Sequence, residues 1–254
     1  MGGGVGLSIH SPVRIATEKT MFAMPETGIG LFPDVGTTSV LPRLPAGAHV
    51  GIFCGLSGQR LYAADCLYAG IATHYCPSDK LVEVEASVRA LGERASDVQA
   101  VSDSITAVTG GAKPDESKAV LAANAVALER CFGTNISAED TFSRLEAEGT
   151  EFASGVLKKL RKMSPTSVKV SLEAIRRHQS LPLKEALVME YRMSQWCMRP
   201  QPQSDFCEGI RAVLIDKDNT PRWDPSRVED VSKERVAGFF APLGSDHPRG
   251  ELQI

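Results

Sequence analysis

Two carboxylates stand in a segment that otherwise offers little to charge. Glu26 and Asp34 lie within Met24-Pro25-Glu26-Thr27-Gly28-Ile29-Gly30-Leu31-Phe32-Pro33-Asp34-Val35-Gly36, among Phe22, Met24, Ile29, Leu31 and Phe32. If both line a semi-buried pocket, desolvation and mutual repulsion raise at least one of their pKa values. Carboxylates whose pKa values are pushed apart can divide acid and base work. Asp34 has a second reading, because Asp-x-Gly-Thr-Thr is a good helix N-cap context. Glu26 has no such local role. A third candidate is the run Gly2-Gly3-Gly4. Adjacent glycines opening a helix leave backbone N–H groups facing outward with no Cβ in the way. That suits an anion or a developing oxyanion. Read alone, the run is more simply a flexible terminus.

Other chemistries lack their residues. His10 and His74 are lone histidines beside apolar neighbours and read as structural. No Gly-x-Ser-x-Gly elbow occurs, so a serine-hydrolase triad has no support. The six cysteines at 54, 66, 76, 131, 197 and 207 form no Cys-x-x-Cys and no zinc spacing. They read as free thiols in a reducing compartment. No metal site and no redox cofactor is expected. The net charge of −3 argues against holding nucleic acid by phosphate neutralisation. No run approaches the ~20 apolar residues that cross a bilayer. Lys158-Lys159, Arg161-Lys162 and Arg176-Arg177-His178 read as solvated helix faces. Their alternative role is to meet the phosphates of a bulky, cofactor-like substrate.

The elements that must position these residues divide near the middle of the chain. With 254 residues and 43% hydrophobic composition, there is enough chain for a full core without staples. Val5 to His10 reads as the start of a buried helix, and residues 13–23 as two short extended segments around a polar turn. Short helices are expected at 37–44 and 46–55, then a helix near 61–69 stopped by Gly70, a strand at 71–75 and a helix at 81–91. Residues 95–114 turn to Ser, Asp, Thr and Gly and read as a linker. Helices follow at 115–131, 138–148, 150–162, 165–179, 183–199 and 204–216. Ser137 and Ser164 are expected N-caps, the latter with Pro165 at the first helical position. The tail, 223–254, alternates polar residues, Pro and Gly, as a segment that wraps the surface would. The organisation read here is a mixed α/β part at 1–94, a linker at 95–114 and a helical part at 115–254.

Taken jointly, several stretches resemble the crotonase (enoyl-CoA hydratase/isomerase) superfamily. They are Met1-Gly2-Gly3-Gly4-Val5-Gly6-Leu7-Ser8, the Phe22 to Gly36 segment, Ala69-Gly70-Ile71-Ala72-Thr73-His74, Lys162 to Ser167, Met189-Glu190-Tyr191-Arg192-Met193-Ser194, and Asp205 to Asp218 closing with Pro221-Arg222-Trp223. Within the superfamily they are most similar to the 3-hydroxyisobutyryl-CoA hydrolase branch; residues 92–150 match only loosely. The resemblance implies an α/β spiral core followed by a helical C-terminal region. It implies hydrolysis of a short branched 3-hydroxyacyl-CoA thioester, in valine catabolism and in the mitochondrial matrix. Coenzyme A is then part of the substrate and no separate cofactor is needed. Gly3 falls where the superfamily places an oxyanion-hole N–H, Glu26 on its catalytic glutamate, and Asp34 on an aspartate of the hydrolase branch. All three would touch substrate. Gly6 falls where hydratases carry their other catalytic glutamate. The superfamily's N-terminal stretch, with its second oxyanion donor and much of the CoA site, has no counterpart here. The expectation is therefore an incomplete core, with low solubility or low cooperativity for residues 1–254 alone, and either a missing N-terminal segment or self-association. Two other readings stay open: another crotonase activity, hydratase or isomerase, and a non-catalytic subunit of a mitochondrial assembly such as the ribosome.

Overall fold

The structure, a computed structural model, describes residues 1–199, 204–245 and 247–254. Residues 200–203 and 246, which fall in the expected helical region and tail, lie outside the described residues. The chain opens with α1 (Gly3–Gly6), then β1 (Ile15–Ala16) and a 3-10 turn at Glu26–Ile29. Helices α2 (Thr37–Val40), α3 (Ala48–Ser57) and α4 (Ala63–Ala69) lead to β2 (His74–Tyr75). Then come α5 (Leu81–Ala90), α6 (Val98–Thr109), α7 (Ala125–Cys131), α8 (Ala138–Glu148), α9 (Glu151–Leu160), α10 (Pro165–Arg177) and α11 (Leu183–Cys197). The last are α12 (Asp205–Ile210), continued by one π-helical turn at Arg211–Ile215, and α13 (Lys233–Gly238).

β1 and β2 run parallel, with Ile15 opposite His74 and Ala16 opposite Tyr75. A parallel pair needs a long crossover, and here α2, α3 and α4 supply it. An isolated antiparallel bridge joins Phe22 to Leu61. The Arg14 guanidinium ties this layer to the loop after α4, donating from Nε to Ile71 O at 2.6 Å and from Nη2 to Gly70 O at 2.8 Å.

The core centres on α3. Its sequence is apolar on every face, which marks a helix surrounded by others; Val50, Ile52, Phe53, Cys54 and Leu56 are all buried. Gly51 allows the closest approach, since a Cβ there would lie 1.9 Å from Leu41 O. Phe53 meets Phe132 edge-on at 5.4 Å between centroids, a favourable aromatic geometry. A second cluster joins Phe32 to α10, α11 and the tail through Val170, Ala174, Met193, Phe239 and Phe240. A third, of Cys76, Val84 and Ile105, seats α5 and α6 beside β2.

Local signals read from sequence recur in the structure. The Ser137 hydroxyl accepts from Asp140 N–H and the Ser164 hydroxyl from Ser167 N–H, as N-caps do. Gly70 ends α4 in the left-handed conformation at φ 76°. All six cysteines are free thiols.

Three expectations are corrected. The 95–114 segment is not an open linker, because Val98–Thr109 forms α6, capped by the Asp97 side chain and buried through Ala100 and Ile105. Its Ser and Thr have no helical preference of their own, and Ser102 and Ser104 sit half-buried against His74 and Ser87; this polar composition masked the Ala100 to Ile105 stripe. Helix 115–131 shrinks to α7 and a preceding 3-10 turn, Ala122–Asn124. Before them the buried Asp65 carboxylate accepts from Val120 and Leu121 N–H, an alternative to helix for those amides. Finally, the Val5 to His10 stretch stops being helical after Gly6; Val5 and Ile9 are buried but Leu7 is fully exposed.

The turn carrying Glu26 is clamped from three sides. Thr27 Oγ1 donates to Leu56 O at 2.9 Å, and Ser164 N–H donates to Thr27 O at 3.0 Å. From the third side α12 presses on the turn's exit: a Cβ on Gly209 would lie 2.2 Å from Ile29 O, and one on Gly30, at φ 73°, 2.2 Å from the Asp205 carbonyl. Gly30→Ala therefore adds both a left-handed side chain and a backbone clash. It is expected to lower unfolding free energy by about 3 kcal/mol, read from urea midpoints. Gly28→Ala, which meets only the flexible Met163 thioether at 3.3 Å, is expected to change the midpoint little.

Candidate active site

Glu26 opens the 3-10 turn and is 95% removed from solvent, at 5% exposure. Its Oε2 is buried without a hydrogen-bond partner among the described residues. The other oxygen faces the glycine run, since a Cβ on Gly2 would lie 3.1 Å from Oε1. Burial pushes the carboxyl up to about 8, and the nearby Asp34 charge adds to the rise. Gly2 holds φ 53° and donates its N–H to Ala23 O at 3.2 Å; Gly4 donates to Met1 O. Among the described residues no carbonyl takes the Gly3 N–H. A Cβ on Gly3 or Gly4 would meet nothing within 4 Å, so this end of α1 faces open space.

Asp34 is half-buried, and burial raises its carboxyl too. The structure brings it close enough to Glu26 for its charge to be felt there. The capping reading of Asp34 is corrected. Its side chain caps nothing; its backbone carbonyl accepts from Thr37 N–H at 3.0 Å and Thr37 Oγ1 at 2.7 Å. The reason lies in the next two residues, Val35 at φ 57° and Gly36 at φ 79°. Two consecutive left-handed residues turn the Asp34 side chain away from the helix start. A β-branched residue in that region is strained.

α2 is capped instead from far along the chain. The Glu190 carboxylate, on α11, accepts Gly36 N–H at 2.7 Å and Thr38 N–H at 3.3 Å, and takes the Thr38 hydroxyl as well. Burial pushes Glu190 up to about 7, against the pull of those donors. His178, fully buried after α10, reaches Thr38 Oγ1 through Nδ1 at 2.5 Å. Burial takes this imidazole down to about 4, so it is neutral and donates from Nδ1 when the Thr38 hydroxyl donates to Glu190. From the sequence, Glu190 lies in a motif without a role and Thr38 only in a capping context; His178, expected on a solvated face, is corrected, since the turn after α10 folds it fully inside against Thr38. One signal was available for Glu190. It sits on the buried stripe Ala186, Glu190, Met193, Cys197, where every other member is apolar.

Val35 also closes the place beside Gly6. A Cβ on Gly6 would lie 2.5 Å from Val35 Cβ and 3.2 Å from Val35 O. No side chain fits at position 6 while this turn stands. Across from it, His10 Nε2 bonds to Val35 O at 3.0 Å, which makes His10 structural. His74 is structural as well, bonded to Thr73 and Ser102. Among the described residues no cluster of side chains could hold a metal ion.

The Glu26 shift has a sign in stability. The folded carboxyl keeps its proton up to about 8, whereas the unfolded one releases it near 4.5. Its contribution is therefore full below the lower value and is lost as pH rises through the upper one. Relative to the parent, Glu26→Gln should gain stability as pH rises from 5 to 9. Urea midpoints of both proteins across that range check this; a pH-independent difference would show that Glu26 is not shifted.

A sequence profile of the enoyl-CoA hydratase/isomerase family matches residues 1–240. Mitochondrial 3-hydroxyisobutyryl-CoA hydrolase from Gallus gallus is 45% identical over 247 residues, covering 97% of this chain and 62% of the relative. The Homo sapiens protein of that name is 44% identical, covering 96% and 62%. The chain thus spans less than two thirds of these relatives' length. Among solved structures, a carnitinyl-CoA dehydratase from Mycobacterium thermoresistibile superposes with TM-score 0.79 at 33% identity. An enoyl-CoA hydratase from Rhodobacter sphaeroides superposes with TM-score 0.75 at 38% identity. Each match covers 96% of this chain and 66% of the other. With the profile spanning nearly every residue and the α/β fold shared, the chain belongs to the enoyl-CoA hydratase/isomerase family.

Proposed function

We propose that this chain carries the catalytic carboxylates of an acyl-CoA thioester hydrolase acting on 3-hydroxyisobutyryl-CoA, releasing the free acid and CoA in valine catabolism. The relatives' names support that substrate and a mitochondrial setting; the matrix is the compartment we propose. The observation that carries the reading is Glu26, buried with one oxygen unpartnered, beside a position 6 that Val35 closes.

In this mechanism the thioester carbonyl oxygen sits on the Gly3 N–H, which strengthens its hold as negative charge develops. Ionised Glu26 attacks the carbonyl carbon or removes a proton from the attacking water. The C–S bond breaks and the thiolate takes a proton and leaves as CoA; where Glu26 was the nucleophile, water then cleaves the Glu26–acyl anhydride, and on either route the acyl group departs as the acid. Asp34 orients the substrate hydroxyl or assists those proton transfers. Neither a metal nor a redox cofactor takes part, and CoA belongs to the substrate.

The solved relatives named as a hydratase and a dehydratase raise a second reading, addition or removal of water across a double bond. Hydration in this family uses two carboxylates on one water, and the second would stand at position 6. Gly6 has no carboxylate, and Val35 leaves no room for one.

In the protein carrying this chain, CoA release from 3-hydroxyisobutyryl-CoA, followed with a thiol reagent, is the expected activity. Crotonyl-CoA should gain no water. Glu26→Gln is expected to abolish release without lowering the melting temperature. Asp34→Asn is expected to lower kcat ~10²-fold, the scale of lost acid–base assistance. Equal turnover of both substrates would overturn the hydrolase reading in favour of the hydratase one.

A further inference from the structure

We infer that Glu190 is a positioning residue for Asp34: its carboxylate, presented by α11, pins the strained turn that aims the Asp34 side chain. This rests on the catalytic reading of Asp34 above and adds the group that holds it in place.

Asp34 has little else to hold it. Among the described residues, no donor bonds its carboxylate. Its direction is set by the backbone of Val35 and Gly36, at φ 57° and 79°. Left alone, a valine leaves that region, because its Cβ and branched methyls crowd the backbone there. The turn persists because its surroundings over-determine it. Thr37 ties back to Asp34 O through both its N–H and its hydroxyl, and His10 holds Val35 O. Those contacts are local or exposed. The buried hold is Glu190, which takes the Gly36 N–H at 2.7 Å with Oε2 and the Thr38 N–H with Oε1. Thr38 is itself seated against His178. Charge-assisted bonds of this kind are about twice as strong as neutral ones.

Two features say that this arrangement serves more than helix capping. First, α2 is only four residues long, Thr37–Val40. A buried carboxylate brought from the apolar stripe of α11 is a costly way to cap it, since desolvation opposes its charge. Second, one of the amides Glu190 takes, that of Gly36, lies on the strained turn itself, two residues beyond Asp34, and the other, Thr38, in the helix that the turn opens into. The hydrogen bonds of Glu190 go to Gly36 and Thr38, so it acts on Asp34 through the turn.

The test is a double-mutant cycle with 3-hydroxyisobutyryl-CoA in the protein carrying this chain. Glu190→Gln is nearly isosteric and keeps one acceptor for the Gly36 N–H. It is expected to lower kcat about 10-fold with KM within about 2-fold. Glu190→Ala, which frees the turn, is expected to lower kcat about 10²-fold, the scale of a mispositioned group. In an Asp34→Asn background, Glu190→Gln should cost no more than about 2-fold further, because both changes remove the same function. Thermal melts accompany each variant, and Glu190→Gln carries the conclusion if the Ala variant does not fold. A lowered melting temperature with unchanged kcat would make Glu190 purely structural and overturn the inference. So would losses that multiply with those of Asp34→Asn. If Asp34→Asn alone is fully active, the catalytic reading of Asp34 fails first, and that outcome is separate from the other two.

Discussion

A carboxyl group held out of water with an oxygen unpartnered works against folding unless it is neutral or engaged by a ligand. Glu26 is such a group, and the surrounding structure is arranged to keep it there. The 3-10 turn that bears it is fixed by Thr27 against α3, by Ser164 at the start of α10 and by the close glycine contacts of α12. These contacts come from segments that are far apart in the chain. The result is a proton-bearing group with a pKa of about 8, set beside a glycine run in which no carbonyl among the described residues takes the Gly3 N–H. A carboxyl tuned toward neutral pH is suited to proton transfer or to attack on an acyl carbon, and a surface glutamate would not be.

The second carboxylate is organised differently. Asp34 owes its direction to two successive left-handed residues, one of them a valine. The same valine fills the space beside Gly6, so one local strain has two effects. It turns a carboxylate away from the helix it would otherwise cap, and it leaves no room for a side chain at position 6. Strain that both aims one group and excludes another is the kind that a structure must restrain from several sides. Here the restraints are Thr37, His10 and the buried Glu190–Thr38–His178 chain.

Much of this was legible in the sequence. Glu26 announced itself as a charge in an apolar, glycine- and proline-rich segment. The Ser137 and Ser164 caps and the Gly70 stop were readable because each depends on residues within one helical turn. The joint motifs pointed to the enoyl-CoA hydratase/isomerase family, which the profile match and the shared fold bear out. Composition misled at 95–114, where a polar, Ser-rich stretch hides an amphipathic helix whose buried face is carried by Ala100 and Ile105.

What the sequence determined by itself was the set of short-range facts: which residues cap, which glycines turn the chain, and which carboxylate has no local purpose. The tertiary structure alone decided the fate of Asp34. A local reading makes it an N-cap, because the spacing to the Gly36 and Thr37 amides is right. In the fold, the amides of Gly36 and Thr38 are taken by Glu190, more than 150 residues away. A side chain's competitors for a hydrogen bond are set by the whole packed core, and no spacing rule along the chain contains that information.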